Sequence, residues 1–293
     1  MLEQAVAVIN GKGGTGKTSI VANVAGLAAA AGYRVLAVDL DPQGNLSRDL
    51  GYSRRAGARP ASPLMSALAD RAALVPLADV RPNLDVVAGG EDLEDWSALA
   101  SSWRSRGRQP NSALEVALSS LAATYDLVIL DCPPGNRELQ LLAAHTARWV
   151  LVPVRADEAS LDGLVRVATL FEGVAQDNPG LQLLGVVLFG IESRASRVRA
   201  AVRAQVAAEL GDPLLVLDAE IRHVTAPARD ARARGQLVHE YEQDVLAAPM
   251  FFAPGGRDAE PLAASAPGLA SDYQQLAREI LTRLQPASTR ATA

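Results

Sequence analysis

The chain has 293 residues, of which 49% are hydrophobic and 21% are charged, and this composition predicts an ordinary soluble globular protein. The N-terminus shows no basic region of a signal peptide, so a cytoplasmic enzyme is the default expectation. The net charge of −5 excludes a general attraction to nucleic acid, so that any DNA contact has to come from a local basic patch. One cysteine excludes an internal disulfide, three scattered histidines argue against a zinc cluster, and no stretch approaches the roughly 20 apolar residues of a membrane span.

The first predicted elements are a buried strand over Ala5–Ile9, a glycine-rich loop over Gly11–Thr18 and an alanine-rich helix over Ser19–Ala31. The loop has the sequence Gly-Lys-Gly-Gly-Thr-Gly-Lys-Thr and fits the phosphate-loop pattern G-x-x-x-x-G-K-[ST]. Because glycine lacks a Cβ atom, such a loop can curl around a phosphate and direct its N–H groups inward. The predicted nucleotide-binding residues are Gly11, Lys12, Gly13, Gly14, Thr15, Gly16, Lys17, Thr18 and Ser19.

Two side chains at the end of this loop have predicted roles. Lys17 should reach the β- and γ-phosphates, and the Thr18 hydroxyl should ligate Mg²⁺. Only two of the 28 basic residues are lysines, and both lie in the loop, at Lys12 and Lys17. An ammonium is a compact point charge, whereas a guanidinium is a planar fork that needs more room. We therefore favour a phosphate-binding role for both lysines over the alternative of a glycine turn with incidental lysines.

The next part of the chain is less regular. A second buried strand is predicted over Tyr33–Asp39, and prolines, glycines and arginines then interrupt the pattern from about Ser53 to Asn111. Within this insertion we predict a helix at Leu64–Ala69, a strand at Leu84–Val87 and a solvent-exposed excursion over Glu91–Gln109.

Regular alternation of strands and helices then resumes. The remaining predicted elements are helix Ala113–Ala123, strand Leu127–Leu130, helix Arg137–His145, strand Trp149–Val154, helix Ser160–Ala175, strand Leu183–Phe189, helix Ser196–Leu210, strand Leu214–Leu217 and helix Ser271–Leu284. Buried strands separated by amphipathic helices predict an α/β fold with a mostly parallel twisted sheet and helices on both faces. We expect one domain over residues 1–285, with insertions near 53–111 and 247–268 and a flexible tail over 286–293.

Carboxylates follow two of the predicted strands. Asp131 ends the strand Leu127–Leu130, and an aspartate in this position after a phosphate loop is typical of a Walker B residue, which holds Mg²⁺. Asp39 and Asp41 follow the second strand, where a fixed acceptor can align an attacking water. The alternative is that these aspartates only cap strands and turns. Cys132 is expected to be a small buried residue, because no histidine lies near it in the sequence.

The position of Lys12, directly after the first loop glycine, gives the form Lys-Gly-Gly-x-Gly-Lys-Thr. This form resembles the deviant Walker A signature of the ParA/MinD ATPases. The resemblance implies that ATP and Mg²⁺ are bound and that ATP closes a homodimer. It also implies that Lys12 crosses the dimer interface and touches the phosphates bound by the partner subunit.

The segment Asp39–Asn45, Asp-Leu-Asp-Pro-Gln-Gly-Asn, is similar to the first switch of the same family. The resemblance implies that Asp41 orients or activates the attacking water. It also implies that Asp39 lies near the metal held by Thr18 and Asp131. The expected catalytic residues are therefore Lys12, Lys17 and Asp41.

Arginines are frequent in the C-terminal part of the chain. The span 194–234 holds eight arginines and five acidic residues, which gives it a net charge of +3. ParA relatives bind DNA without sequence preference through basic residues of this region, and nothing here resembles a helix-turn-helix. The candidate DNA-binding residues are Arg194, Arg197, Arg199, Arg203 and Arg222. A solvated arginine-rich face is the alternative.

The resemblance as a whole implies a Soj-like ATPase that acts in chromosome or plasmid partitioning. Its ATP-bound dimer would bind non-specific DNA and associate with the nucleoid, and a ParB-like partner would stimulate hydrolysis. A MinD-like membrane regulator is one alternative, but it needs a basic amphipathic C-terminal helix, and Gln285–Ala293 offers no apolar face. Stable membrane association is therefore not expected. A metabolic ATP-dependent ligase on the same fold is another alternative, although no motif for a second substrate stands out.

Overall fold

A computed structural model describes residues 1–54, 63–70, 72, 74–155, 159–192, 196–247 and 266–285. Its strands are β1 (Leu2–Val8), β2 (Val35–Asp39), β3 (Leu77–Arg81), β4 (Leu84–Val87), β5 (Leu127–Asp131), β6 (Ala147–Arg155), β7 (Gln182–Ile191) and β8 (Val216–Arg222). Its helices are α1 (Lys17–Ala30), α2 (Leu46–Asp49), α3 (Pro63–Asp70), α4 (Trp96–Ser105), α5 (Ala113–Ala122), α6 (Arg137–Thr146), α7 (Ala159–Val174), α8 (Ser196–Leu210), α9 (Thr225–Arg234), α10 (Val238–Ala247) and α11 (Ala266–Leu284).

The eight described strands form one sheet in the order β3-β4-β2-β5-β1-β6-β7-β8. All neighbouring pairs are parallel except β3 and β4, which form an antiparallel edge. Helices cover both faces of this sheet, which confirms the predicted α/β fold. Because β1 lies between β5 and β6, the loop that follows β1 leaves the sheet near its centre.

The two faces of the sheet bury two separate apolar cores. Ala5 and Ala7 of β1 point to the core that contains side chains of α3 to α8, whereas Val6 and Val8 point to the core that contains α1, α2 and α11. This alternation follows from the two-residue period of a β-strand. The central strands therefore contain almost only apolar residues, because both of their faces are buried.

The predicted solvent-exposed excursion over Glu91–Gln109 is wrong in its central part. A short 3₁₀ turn leads into α4, and Leu93, Trp96, Ala100 and Trp103 are buried in the first core. The two tryptophan rings meet edge to face, with centroids 5.9 Å apart. These four residues recur at helical spacing, but the charged residues between them obscure the pattern.

Several other boundaries differ from the prediction. The last strand is not Leu214–Leu217 but β8, because the Asp212 side chain accepts a hydrogen bond from Leu214 N and holds residues 213–215 in a 3₁₀ turn. Helices α2, α9 and α10 and the edge strand β3 were not predicted. Of the predicted insertions and tail, residues 55–62, 71, 73, 248–265 and 286–293 lie outside the described part of the chain.

We predict that Trp96→Ala lowers the free energy of unfolding by about 3–5 kcal/mol, because Trp96 is only 1% exposed and its removal leaves a large cavity. Urea denaturation of the full chain measures this change. Ser101→Ala, at an exposed position of the same helix, is the control and should change stability by less than about 0.5 kcal/mol. A Trp96→Ala variant as stable as the control would show that this segment does not contribute to the core.

Candidate functional site

The parallel register brings three chain segments together at the carboxyl ends of the central strands. Asp131, at the end of β5, lies opposite Val8 of β1 on one side and opposite Asp39 of β2 on the other. The loop that follows β1 is the predicted phosphate loop, Gly11–Thr18. The carboxyl ends of neighbouring parallel strands are where open α/β sheets bind ligands. The loop and both strand-end aspartates therefore belong to one site.

The phosphate loop has the backbone geometry that its glycines predicted. Gly14 and Gly16 adopt left-handed conformations, with φ of 74° and 85°, and Gly16 directly precedes the first turn of α1. A Cβ atom on Gly16 would lie 2.2 Å from the ring of Phe189. Glycine is thus required at this position both by the backbone and by the neighbouring ring.

Asn10 anchors the start of the loop, and sequence analysis missed it. This residue is fully buried; its Nδ2 donates to the Pro153 carbonyl at 2.7 Å, and its Oδ1 accepts from Lys12 N at 2.8 Å. It therefore ties the loop to the neighbouring strand β6. A polar residue directly between a buried strand and a glycine loop was the available signal.

The two lysines occupy different environments. Lys17 is buried, and its Nζ donates to the Lys12 carbonyl at 3.0 Å, inside the curl of the loop. Burial lowers the pKa of Lys17, and the charges of Asp131, Cys132 and Asp41 oppose this shift. Lys12 is half-buried. The two lysines therefore differ in their exposure to solvent.

Asp131 is fully buried, and neither of its carboxylate oxygens has a hydrogen-bond partner among the described residues. Burial raises its pKa to about 7, while the nearby Thr18 hydroxyl opposes the shift. Buried carboxylate oxygens without partners, next to a hydroxyl, are the oxygen donors that Mg²⁺ prefers. The residues present thus fit a magnesium ion. Cys132, the next residue, is buried as predicted, and burial raises the pKa of its thiol.

The first switch segment is held by its own hydrogen bonds. Asp39 is fully buried, and its Oδ1 accepts from Asp41 N at 3.0 Å. Oδ1 of Asp41 accepts in turn from Gln43 N at 2.9 Å. A Cβ atom on Gly89, at the end of the β4 segment, would lie 2.6 Å from the Asp39 carbonyl, so this glycine allows the segment to pack against the sheet. The Asp41 carboxylate consequently has a fixed orientation.

A cavity of about 310 Å³ lies over the loop. It is lined by Gly14, Thr15, Gly16, Lys17, Thr18, Ser19, Asp41, Asn45, Pro134, Phe189 and Arg232. Most of the predicted nucleotide-binding residues and Asp41 therefore face one space. Sequence analysis did not assign Phe189 and Arg232 to this site, because they come from β7 and α9, far away in the sequence. Arg155 also reaches the loop and donates to the Gly14 carbonyl at 3.3 Å.

The four predicted DNA-binding arginines within the described residues are not among those that line this cavity, and three of them form ion pairs. Arg199, Arg203 and Arg222 form ion pairs with Glu220, Asp218 and Asp272, respectively. Arg197 is exposed, and Arg194 lies outside the described residues. The charge of the three paired arginines is therefore largely balanced within the fold. No described helix is long and apolar enough to cross a membrane.

Comparisons with solved structures agree with this geometry. The ATP complex of a McdA variant from Cyanothece matches with a TM-score of 0.71 and 20% identity, over 95% of this chain and 96% of that chain, and supports the fold. Cobyrinic acid a,c-diamide synthase from Mycobacterium smegmatis, with bound ADP and magnesium, matches with a TM-score of 0.63 and 28% identity, over 83% of this chain and 94% of that chain.

Comparisons of sequence identify the family. A family model described as an AAA domain matches residues 3–183. The chromosome-partitioning ATPase Soj of Thermus thermophilus is 32% identical over 291 residues, which cover 96% of this chain and 97% of the relative. Together with the phosphate loop, the two strand-end aspartates and the cavity above them, these matches show that the chain belongs to the ParA/Soj family of partitioning ATPases, a branch of the ParA/MinD P-loop proteins.

Proposed function

We propose that this protein is an ATPase whose ATP-bound dimer binds DNA without sequence preference and acts in chromosome or plasmid partitioning. A ParB-like partner stimulates hydrolysis and releases the dimer from DNA. The observation that carries this proposal is the convergence of the Lys17 cradle, Asp131 and Asp41 on one site, in a chain related to Soj over nearly its whole length.

The phosphates of ATP bind in the curl of the loop. Backbone N–H groups of Gly13 to Ser19 and the positive end of α1 contact them, and the Lys17 ammonium moves from the Lys12 carbonyl to the β- and γ-phosphates. Thr18, Asp39 and Asp131 would hold Mg²⁺, and the bound ion would neutralise charge on the phosphates.

Asp41 positions the attacking water. Because its Oδ1 is held by Gln43 N, the other carboxylate oxygen can accept a proton or a hydrogen bond from a water in the cavity. Such alignment is the main contribution that a protein makes to phosphoryl transfer. Lys12 completes the site from the other subunit, a role supported by its partial exposure and by the Lys-Gly-Gly-x-Gly-Lys-Thr form of the loop.

Removal of Lys17 should affect ATP affinity, whereas removal of Lys12 should affect turnover. Lys17→Ala should weaken ATP binding at least about 100-fold, because several charge-assisted contacts are lost. Lys12→Ala should bind ATP nearly as the unmodified protein does but lower turnover about 10³-fold, as expected for a charge supplied in trans. A fluorescent ATP analogue measures affinity, and phosphate release measures turnover. Equal turnover per subunit in Lys12→Ala and the unmodified protein would contradict the role of Lys12 in trans.

Asp131→Asn tests the metal site. The substitution keeps the shape of the side chain but removes the charge, so we expect the Mg²⁺ concentration for half-maximal turnover to rise at least about tenfold. The melting temperature without nucleotide should not fall, because burial penalises the charged form of the carboxylate that the substitution removes. The additional stabilisation by ATP with Mg²⁺ should be lost. An unchanged Mg²⁺ requirement would exclude Asp131 as a metal ligand.

ATP should control the oligomeric state of the protein, and DNA should raise its ATPase rate. We predict a dimer by size-exclusion chromatography with a non-hydrolysed ATP analogue, a monomer with ADP, and an ATPase rate that rises with DNA and the ParB-like partner. The corresponding location is the cytoplasm, with nucleoid association in the ATP state. A chain that stays monomeric with the ATP analogue would contradict this proposal.

The two alternatives give different results in the same assays. A MinD-like regulator would sediment with anionic vesicles in the presence of ATP. A ligase would hydrolyse ATP only with a second substrate and would not respond to DNA. We propose that ATP binding, ATP hydrolysis, dimerisation and DNA binding all reside in one domain over residues 1–285.

A further inference from the structure

A second cavity, of about 370 Å³, lies next to the one over the phosphate loop. It is lined by Arg48, Gly51, Ser53, Arg229, Arg232, Ala233 and Gly235, and we call it the arginine pocket. Three of these residues are arginines and none is acidic. A concave surface that presents several guanidinium groups is suited to phosphate oxygens, which guanidinium binds in a bidentate manner.

Two glycines fix the shape of this pocket. Gly51 follows α2 and Gly235 ends α9, and both have left-handed conformations, with φ of 70° and 67°. A Cβ atom on Gly51 would lie 2.4 Å from the Gly235 carbonyl oxygen, and one on Gly235 would lie 2.5 Å from Gly51 Cα. Only glycine permits this backbone crossing. The crossing sets the separation between Arg48 on α2 and Arg229 on α9.

Arg81 braces the same crossing from β3. Its guanidinium donates to the Leu50 carbonyl at 2.8 Å and to the Gly235 carbonyl at 3.2 Å, on the two sides of the crossing. It also makes two hydrogen bonds to Glu240, at 2.5 and 2.8 Å. The pocket is therefore preorganised, which reduces the entropy that a ligand would have to overcome.

The arginines of the pocket are all at least partly exposed to solvent, although two of them pair with carboxylates. Arg48 is exposed and makes no ion pair with any described residue, and the Arg229 side chain is 75% exposed and pairs with its neighbour Asp230. Arg232 is 45% exposed and pairs with Asp49. Arg48 is thus the pocket arginine that no described carboxylate engages.

The pocket is also connected to the nucleotide site. Arg232 lines both cavities, and its Nε lies 2.5 Å from Oδ1 of Asp49. Oδ2 of Asp49 accepts from the Ser19 hydroxyl at 3.0 Å, in the first turn of α1. A single buried carboxylate thus connects the phosphate loop to α9. The cavity over the phosphate loop and the arginine pocket therefore share Arg232 as part of their walls.

We propose that the arginine pocket binds the phosphodiester backbone of duplex DNA and is the main DNA contact of this protein. This inference rests on the proposed function, because it names where the DNA of that function binds. Contacts between guanidinium groups and phosphates carry no sequence information, in agreement with non-specific binding. The contacts of Arg48 and Arg229 replace those expected from Arg199, Arg203 and Arg222.

The test is the double variant Arg48→Ala/Arg229→Ala, compared with the unmodified protein by fluorescence anisotropy on a labelled duplex, with a non-hydrolysed ATP analogue and a series of salt concentrations. Loss of two phosphate contacts should make the slope of log affinity against log salt shallower by about 1.8. Affinity at low salt should fall at least about tenfold. Arg104→Ala/Arg106→Ala, which removes two exposed arginines at the end of α4, is the control and should bind as the unmodified protein does.

The outcomes separate this inference from the proposed function. If the unmodified protein binds DNA and the double variant binds equally well, the pocket assignment is overturned and the proposed function stands. If the unmodified protein binds no DNA with the ATP analogue at low salt, both are overturned. The single variant Arg229→Ala, at a highly exposed position, should change the slope by about 0.9 and provides the answer if the double variant does not fold.

Discussion

The position of β5 between β1 and β2 is the constraint on which the rest of the site depends. In this register Asp131 lies opposite both Val8 and Asp39, so that the phosphate loop and the first switch leave the sheet on either side of one carboxylate. A slip of one residue would turn Asp131 towards the other face of the sheet. The apolar residues of three central strands fix this register, because both faces of the sheet are buried.

The buried charges of this site are by themselves unfavourable to the stability of the fold. Asp131 has no exposed surface and no hydrogen-bond partner among the described residues, and Lys17 rests against a backbone carbonyl rather than against an anion. Burial therefore raises the pKa of Asp131 and lowers the pKa of Lys17, so that the neutral form of each group is favoured. Phosphate and a divalent cation supply the missing counter-charges. The free energy of nucleotide binding thus includes the relief of charges that the fold has already desolvated.

Local patterns predicted the loop, the order of most strands and helices, and the aspartates, because glycine conformation and strand burial depend on neighbouring residues. Contacts between distant segments were not predictable. Phe189 against Gly16 and Arg222 on Asp272 join residues that are far apart in the chain. The burial of Trp96 was missed for a related reason, since the charges around it dominate the local composition while the fold decides which face of the helix is covered.

The arginines show why charge counts alone do not locate a binding surface. In this chain arginine also acts as a structural donor to backbone carbonyls: Arg148 donates to Gly180 at 2.6 Å, and Arg283 donates to Leu184 at 3.0 Å. A guanidinium that is committed in this way, or to a carboxylate, has already formed the contacts that a phosphate would need. The arginines that remain exposed and unpaired, rather than those that are most numerous in one segment, therefore determine where a polyanion can bind. Within the described part of the chain Arg48 meets this condition, as does Arg197 of α8, although Arg48 lies outside the arginine-rich span.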